Sequence, residues 1–220
     1  YGTSAQPSSK IGFLTTCTLP NMKKRIDRRY RHMTKPPKTG GLVLDLGCGN
    51  GSFLKLAQFL GWRAVGLDTD PSAVTNASRL GMTVYQGGIE FFHGKRDLFD
   101  LITMNHLIEH VHNPSDVLKS CYALLKPDGK LWLETPNIAS MGYKRFRRNW
   151  FGLDAPRHLV LFNHNSILKT LVTAGFQDIR FRPTLSSSTR MIYKRSYLLE
   201  SGHSPYESEC SRKFFTFQAL

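Results

Sequence analysis

LVLDLGCGNG, residues 42–51, joins a short apolar run to a turn of small residues. Gly41 and Gly47 bound the run Leu42–Leu46, which suits a parallel strand buried on both faces. Gly47, Gly49 and Gly51 let the backbone turn sharply and let a ligand approach it closely. Asp68 stands at the end of the next apolar run, Ala64–Leu67, where a carboxylate can accept both hydroxyls of a ribose. The dinucleotide pattern G-x-G-x-x-G is not met, because the residue three after Gly49 is Ser52. Asp45, two residues before the first glycine of the turn, would oppose a pyrophosphate. It suits a cationic ligand such as a sulfonium or an α-amino group.

Outward from this stretch the pattern alternates. Phe53, Leu56, Ala57 and Leu60 share a helical face after the turn, and Ala64–Leu67 forms a second strand. Asp70 caps a helix with Pro71 at its first position, lined by Ala73, Val74, Ala77 and Leu80. With Asp70 capping, Asp68 is left free. Met82–Tyr85 and Phe99–Met104 read as strands. Asn113 caps a helix opened by Pro114, with Val117, Leu118, Cys121, Leu124 and Leu125 inward. Lys126-Pro127-Asp128-Gly129 is a turn before a fifth strand, Lys130–Glu134. Residues 136–164 form an insertion, Asn165–Ala174 a helix stopped by Gly175, and Asp178–Phe181 a sixth strand. The fold expected is α/β: a doubly wound, mostly parallel sheet in one domain, with ligands at the carboxyl ends of the strands. That puts Gly47–Gly51, Asp68 and Asn105–His106 on one rim. The domain is expected over 39–183, after an arm and a basic helix (Ile26, Tyr30 and Met33 on one face, Asn21 as cap) within 1–38. Residues 184–220 show no clear pattern.

The chain has 220 residues, enough for one domain with a sizeable core. It begins with Tyr1, so the native start is expected upstream. No run approaches the roughly 18 apolar residues of a membrane span. Cys17, Cys48, Cys121 and Cys210 are scattered without a CxxC pair, which suggests neither a zinc knuckle nor a disulfide framework and fits a reducing cytoplasm. The net charge of +14 attracts anions, whether nucleic acid, acidic substrates or lipid headgroups, or serves solubility alone.

LVLDLGCGNGSFL, AVGLDTD, FDLITMNHLIEHVHNP and LLKPDGKLWLETPN resemble the successive motifs of class I S-adenosylmethionine-dependent methyltransferases. The resemblance spans about residues 40–180. It is nearest to the branch of ubiquinone-biosynthesis O-methyltransferases and related enzymes, to which Trp150 and Asp154-Ala155-Pro156-Arg157-His158-Leu159 are also similar. The resemblance implies S-adenosyl-L-methionine as cofactor, with Asp45 and the turn Gly47, Cys48, Gly49 and Gly51 at its methionine part. It places Asp68 on the ribose, Thr69 and Ile89 beside the adenine, and Met104 and Asn105 by the sulfonium. Many members carry an Asp near position 88 that accepts from the adenine amino group. Here it is Gly88, which leaves adenine to backbone groups and apolar contact.

His106-Leu107-Ile108-Glu109-His110 spells H-x-x-E-H, the inverted zinc-protease pattern. In this order of motifs, E-H-V is a recurrent element of the methyltransferase family. The ubiquinone branch has Glu-x-x-Glu-His here with a divalent metal. His106 in place of the first Glu points to a softer metal or none at His106, Glu109 and His110, or to a turn that Glu109 and His110 cap and pack. In the insertion, Lys144, Arg145, Arg147 and Arg148 alternate with Tyr143, Phe146, Trp150 and Phe151. Such a segment can stack on single-stranded nucleic acid, cover a small acidic or aromatic acceptor, or pack with its bases solvated.

Methyl transfer from a sulfonium is a direct displacement and needs no metal. A hydroxyl acceptor benefits from a base, and His106 and His158 are the candidates, with Arg157 as partner of an acidic acceptor group. The leading expectation is methyl transfer to oxygen of a small molecule. The alternatives are a nucleic-acid methyltransferase, favoured by charge, and a non-catalytic cofactor-binding protein of the same fold. Against the former, the chain shows no Asn-Pro-Pro-aromatic motif.

Overall fold

The computed structural model describes residues 36, 40–182 and 187–206. The expected arm and basic helix within 1–38, Cys17 and Cys210 lie outside these residues, Pro36 aside. Five strands carry the fold: β1 (Leu42–Leu46), β2 (Arg63–Asp68), β3 (Thr83–Gln86), β4 (Phe99–Asn105) and β5 (Leu125–Glu134). They lie in the order β3-β2-β1-β4-β5, and every registered pair is parallel. The helices are α1 (Ser52–Phe59), α2 (Pro71–Arg79), α3 (Pro114–Leu124), α4 (Met141–Phe146), α5 (His164–Thr173) and α6 (Ser187–Glu200).

Alternation along the strands separates two apolar layers. Leu44, Leu46, Ile102 and Met104 pack with Leu118, Cys121 and Leu124 of α3 and Ile167 and Leu171 of α5. Val43, Ala64 and Leu101 meet Phe53, Leu54 and Ala57 of α1. The chain runs outward from β1 to β2 and β3, then returns to β4 on the other side of β1. The switch point between β1 and β4 opens the crevice where open α/β sheets bind ligands.

The caps expected at Asp70 and Asn113 are present, and α5 starts one residue earlier than expected behind a cap at Asn163. Asp70 accepts from Ser72 N at 2.8 Å, and Asn113 accepts from Asp116 N at 3.3 Å. Asn163 and Ser166 form a reciprocal capping box at the start of α5.

Four expectations change. Asp178–Phe181 forms no strand: Asp178 has φ 50°, which breaks an extended run, and Ile179 instead packs against the core. The turn at 126–129 is a bulge within β5, since Phe99 pairs with Leu125 but Leu101 with Lys130. Of the apolar residues of α2 only Ala77 is buried, because this helix flanks the thin edge of the sheet and leaves Leu80 exposed. The C-terminal stretch contains α6. Its fully buried Ser196 accepts from Phe151 N at 2.8 Å and donates to Ile192 O at 2.7 Å, which fastens it to the insertion.

One close approach governs the upper sheet. Gly66 on β2 pairs with Asp45 on β1, and the Cys48 side chain folds back over it. A Cβ at Gly66 would stand 2.6 Å from Cys48 Sγ and 2.7 Å from Leu54 Cδ1. Gly66→Ala is therefore expected to destabilise the fold by about 1–3 kcal/mol, measured by urea denaturation. An unchanged midpoint would show that the turn gives way freely.

Candidate functional site

The glycine-rich turn is tied to the end of β2. Leu67 O accepts from both Gly47 N (2.8 Å) and Cys48 N (3.0 Å). Asp68 Oδ2 then accepts from Gly49 N at 2.8 Å, and its Oδ1 from Asp70 N at 2.9 Å. Asp68 is thus not the free carboxylate that the capping argument left it. Each carboxylate oxygen has a second lone pair, so the group can still receive two hydroxyls. Gly47, Gly49 and Gly51 all have left-handed φ values, 73°, 51° and 75°. A Cβ at Gly49 would meet nothing within 4 Å, so this glycine borders open space where a ligand can lie against bare backbone. The turn fits a nucleoside-bearing cofactor on these grounds.

Behind the turn lies Asp45, only 3% exposed. Thr103 Oγ1 donates to its Oδ1 at 2.7 Å. Burial pushes the Asp45 carboxyl up, Thr103 pulls it down, and nearby Asp68 raises it further, to about 7. The Cys48 thiol is pushed up to about 12, chiefly by burial, which makes it a packing group rather than a nucleophile.

On the side expected to face adenine, Thr69 is exposed and Ile89 half-buried at the start of a 3₁₀ turn, Ile89–Phe92. Here the structure supplies a residue that sequence reasoning missed. Glu90 folds back so that its Oε1 accepts from Gly88 N at 2.7 Å. Its Oε2 lies 2.5 Å from where a Cβ on Gly88 would be. The carboxylate therefore stands where a side chain at 88 would begin. A glycine two residues before an acid was the available signal.

Met104 is fully buried in the core one residue before the end of β4. Asn105 is half-buried at the end of β4. Leu107 stands against the turn, 3.2 Å from a Cβ built on Gly47, and so joins the cofactor side to the H-x-x-E-H segment.

That segment is a β4 terminus followed by a short 3₁₀ turn, Ile108–His110, so the two histidines do not share a helical face as a zinc protease requires. His106 has φ 53°. Its Nδ1 lies 3.2 Å from Glu109 Oε1, and its Nε2 lies 3.6 Å from Glu134 Oε1. Burial pushes the imidazole down, but the Glu109 and Glu134 carboxylates prevail and raise it to about 9. The two carboxylates therefore favour the protonated form of the His106 ring. Burial would raise the Glu109 carboxyl, yet His106 and Thr135, which donates at 2.8 Å, hold it below its ordinary value.

The insertion closes over this segment, and Leu159 N donates to Glu109 O at 2.8 Å. His158 Nδ1 lies 2.8 Å from Gly152 O, and His110 Nδ1 lies 2.9 Å from Arg157 O. A carbonyl oxygen only accepts, so these contacts place a proton on each Nδ1. The two rings meet edge-on at 4.7 Å. His158 Nε2 stands 4.0 Å from both Glu109 Oε1 and Asp154 Oδ2. Arg157 is turned toward Asp154 at 3.0 Å, so its charge is already paired within the chain. One ligand atom each from Glu109, His110 and His158 lie within 4.8 Å of one another. His158 thus replaces His106 in the set expected for a metal.

A parallel sheet in this order, with an acid-tipped second strand beneath a glycine-rich turn, is the Rossmann-like fold of class I methyltransferases. Residues 20–180 match the family model described as "Methyltransferase domain", and the chain belongs to that family. The ubiquinone biosynthesis O-methyltransferase of Actinobacillus pleuropneumoniae serotype 7 is 37% identical over 117 residues, 47% of this chain and 49% of its own length. That of Coxiella burnetii (strain Dugway 5J108-111) is 35% identical over 104 residues, 44% of each. The chain spans about half the length of the curated relatives it matches. A SAM-dependent methyltransferase from Archaeoglobus fulgidus shares the fold with a TM-score of 0.59 at 21% identity, covering 88% of this chain and 93% of that one. One from Mesorhizobium loti has a TM-score of 0.52 at 21% identity, covering 70% and 84%.

Asp45 holds its proton more tightly in the folded chain than the ordinary value of 3.8 allows in the unfolded one. Its contribution to stability is therefore full below 3.8 and is lost as pH rises through about 7. Denaturation of wild type and Asp45→Asn between about pH 5 and about pH 8 should show wild type losing ground by up to about 1.4 kcal/mol per pH unit. A constant difference would mean that Asp45 is ionised throughout.

Proposed function

We propose that the chain binds S-adenosylmethionine along the Gly47–Gly51 rim and transfers its methyl group to an oxygen of a small molecule. The observation that carries this reading is the glycine turn pinned beneath Asp68, with the buried acid Asp45 behind it. When bound, the sulfonium supplies a methyl carbon that the acceptor oxygen displaces from sulfur, leaving a neutral thioether. The chain's own groups bind and align. Asp68 would take the ribose hydroxyls, the turn would cradle the methionine part, and Asp45 would face its positive charge.

On the acceptor side, His158 would take the hydroxyl proton at Nε2, where it would sit between the Glu109 and Asp154 carboxylates at 4.0 Å. His106, in its protonated form, would serve as a fixed donor. The O-methyltransferase names of the relatives support oxygen as the acceptor atom. Glu109, His110 and His158 offer one carboxylate and two imidazoles, with both Nδ1 atoms on backbone carbonyls, a donor set that fits a zinc-type ion. Were these three residues to hold a divalent metal, His158 would serve through Nε2 as a ligand and not as the base, and the ion would polarise the acceptor oxygen in place of that proton transfer.

The nucleic-acid alternative draws on the net charge of +14. The insertion speaks against it: Phe146, Trp150 and Phe151 are buried and unavailable for stacking on bases. No described helix is long and apolar enough to cross a membrane. Cys48 and Cys121 are free thiols, in keeping with a reducing cytoplasm.

Calorimetry with S-adenosylhomocysteine tests the central reading. Wild type should bind, and Asp68→Ala should lose at least about 10-fold in affinity while remaining folded. A folded wild-type protein that does not bind overturns the reading. Glu90→Ala addresses the adenine end. It should weaken S-adenosylhomocysteine by about 10-fold but leave the inosine analogue, which lacks the amino group, nearly unchanged. Equal losses for both ligands would remove Glu90 from adenine recognition.

A further inference from the structure

His158 belongs to a loop whose conformation is imposed from outside. Asp154, which opens it, has φ 31° and ψ 45°, a left-handed backbone that a non-glycine residue keeps only when its surroundings hold it. Its backbone oxygen accepts from Arg157 N at 2.8 Å and His158 N at 3.1 Å. Its side chain is only 8% exposed. Oδ2 meets Arg157 at 3.0 Å, and Oδ1 accepts from the Tyr206 hydroxyl at 2.7 Å. Tyr206 lies 52 residues along the chain, past the end of α6.

The tyrosine ring is itself gripped. The Arg157 guanidinium lies 5.9 Å from its centroid and that of Arg195, on α6, 5.4 Å. Phe151 meets the ring edge-on at 5.8 Å. Beneath it, α6 is bound to the insertion by Ser196, by the paired Arg145 and Glu200 at 2.6 and 3.0 Å, and by Phe146 against Tyr193. The segment after α6 thus returns across the insertion and sets Tyr206 on the carboxylate that faces His158.

We propose that Tyr206 is a positioning residue: acting through Asp154, the segment after α6 fixes the loop that presents His158 to the acceptor. This rests on the acceptor-side role given above to His158. Tyr206 itself touches no reacting atom. Without its hydroxyl, Asp154 loses the donor from the far side, the left-handed turn relaxes, and the ring orientation of His158, set by Nδ1 on Gly152 O, is no longer unique.

Tyr206→Phe keeps the ring and deletes only the hydroxyl. Amide hydrogen exchange at Arg157 and His158 should quicken about 5- to 10-fold, with exchange in β1 unchanged. Nitrogen-15 shifts of the His158 ring should move from a fixed Nδ1–H tautomer toward an average, a change that mere loss of stability would not produce. Asp154→Ala, removing the acceptor from the other side, should give the same two changes. Wild-type exchange and tautomer in either folded variant overturns the proposal. Both variants should bind S-adenosylhomocysteine like wild type. Failure of wild type to bind would instead strike the cofactor reading and leave the Tyr206–Asp154 positioning intact.

Discussion

The Leu67 carbonyl receives two consecutive amide protons, from Gly47 and Cys48, and the site is built out from that contact. It joins the end of β2 to the turn that leaves β1, and so decides where the next backbone atoms go. Gly49 can then reach Asp68, Cys48 folds onto Gly66, and Leu54 packs behind it. Each consequence needs the absence of a side chain at one position. Gly66 is extended and bare because Cys48 lies over it, whereas the turn glycines are needed for their left-handed backbone. The same tie sets Asp68 and Asp45 close enough for their charges to interact.

The sheet and the cofactor rim were legible because their signals are local. The runs at 42–46 and 99–104, the caps at Asp70 and Asn113, and the spacing from Gly47 to Asp68 all depend on residues near one another in the chain. The acceptor side was much less so. That His106 sits between Glu109 and Glu134, or that Asp154 meets Tyr206, depends on contacts that no short-range pattern encodes. The false sixth strand shows the limit from the other direction. Asp178–Phe181 alternates like a strand, but alternation cannot reveal that Asp178 adopts a positive φ. Glu90 lies between these cases: a glycine two residues before an acid was visible, the folding of that acid back onto Gly88 N was not.

The insertion explains how a strongly basic chain keeps an acid-lined site. Its aromatics turn inward and its bases outward: Arg147 and Arg148 are exposed, while Phe146, Trp150 and Phe151 pack beneath. Two of the insertion's bases are matched within the chain, Arg157 by Asp154 and Arg145 by Glu200. Among the described residues of the insertion the bases thus lie at the surface, and the site behind them carries the acids Asp45, Glu109 and Asp154.

Asp45 gives that interior an adjustable charge. A permanently ionised carboxylate would be expensive to bury; a neutral acid held by one threonine is far easier to house. A cation arriving against it would draw out the proton, so that the negative charge is created when its partner is present. For the proposed cofactor this makes docking a proton-releasing event near neutrality. The heat of binding would then vary with the ionisation enthalpy of the buffer, a property set by a single side chain at the back of the glycine turn.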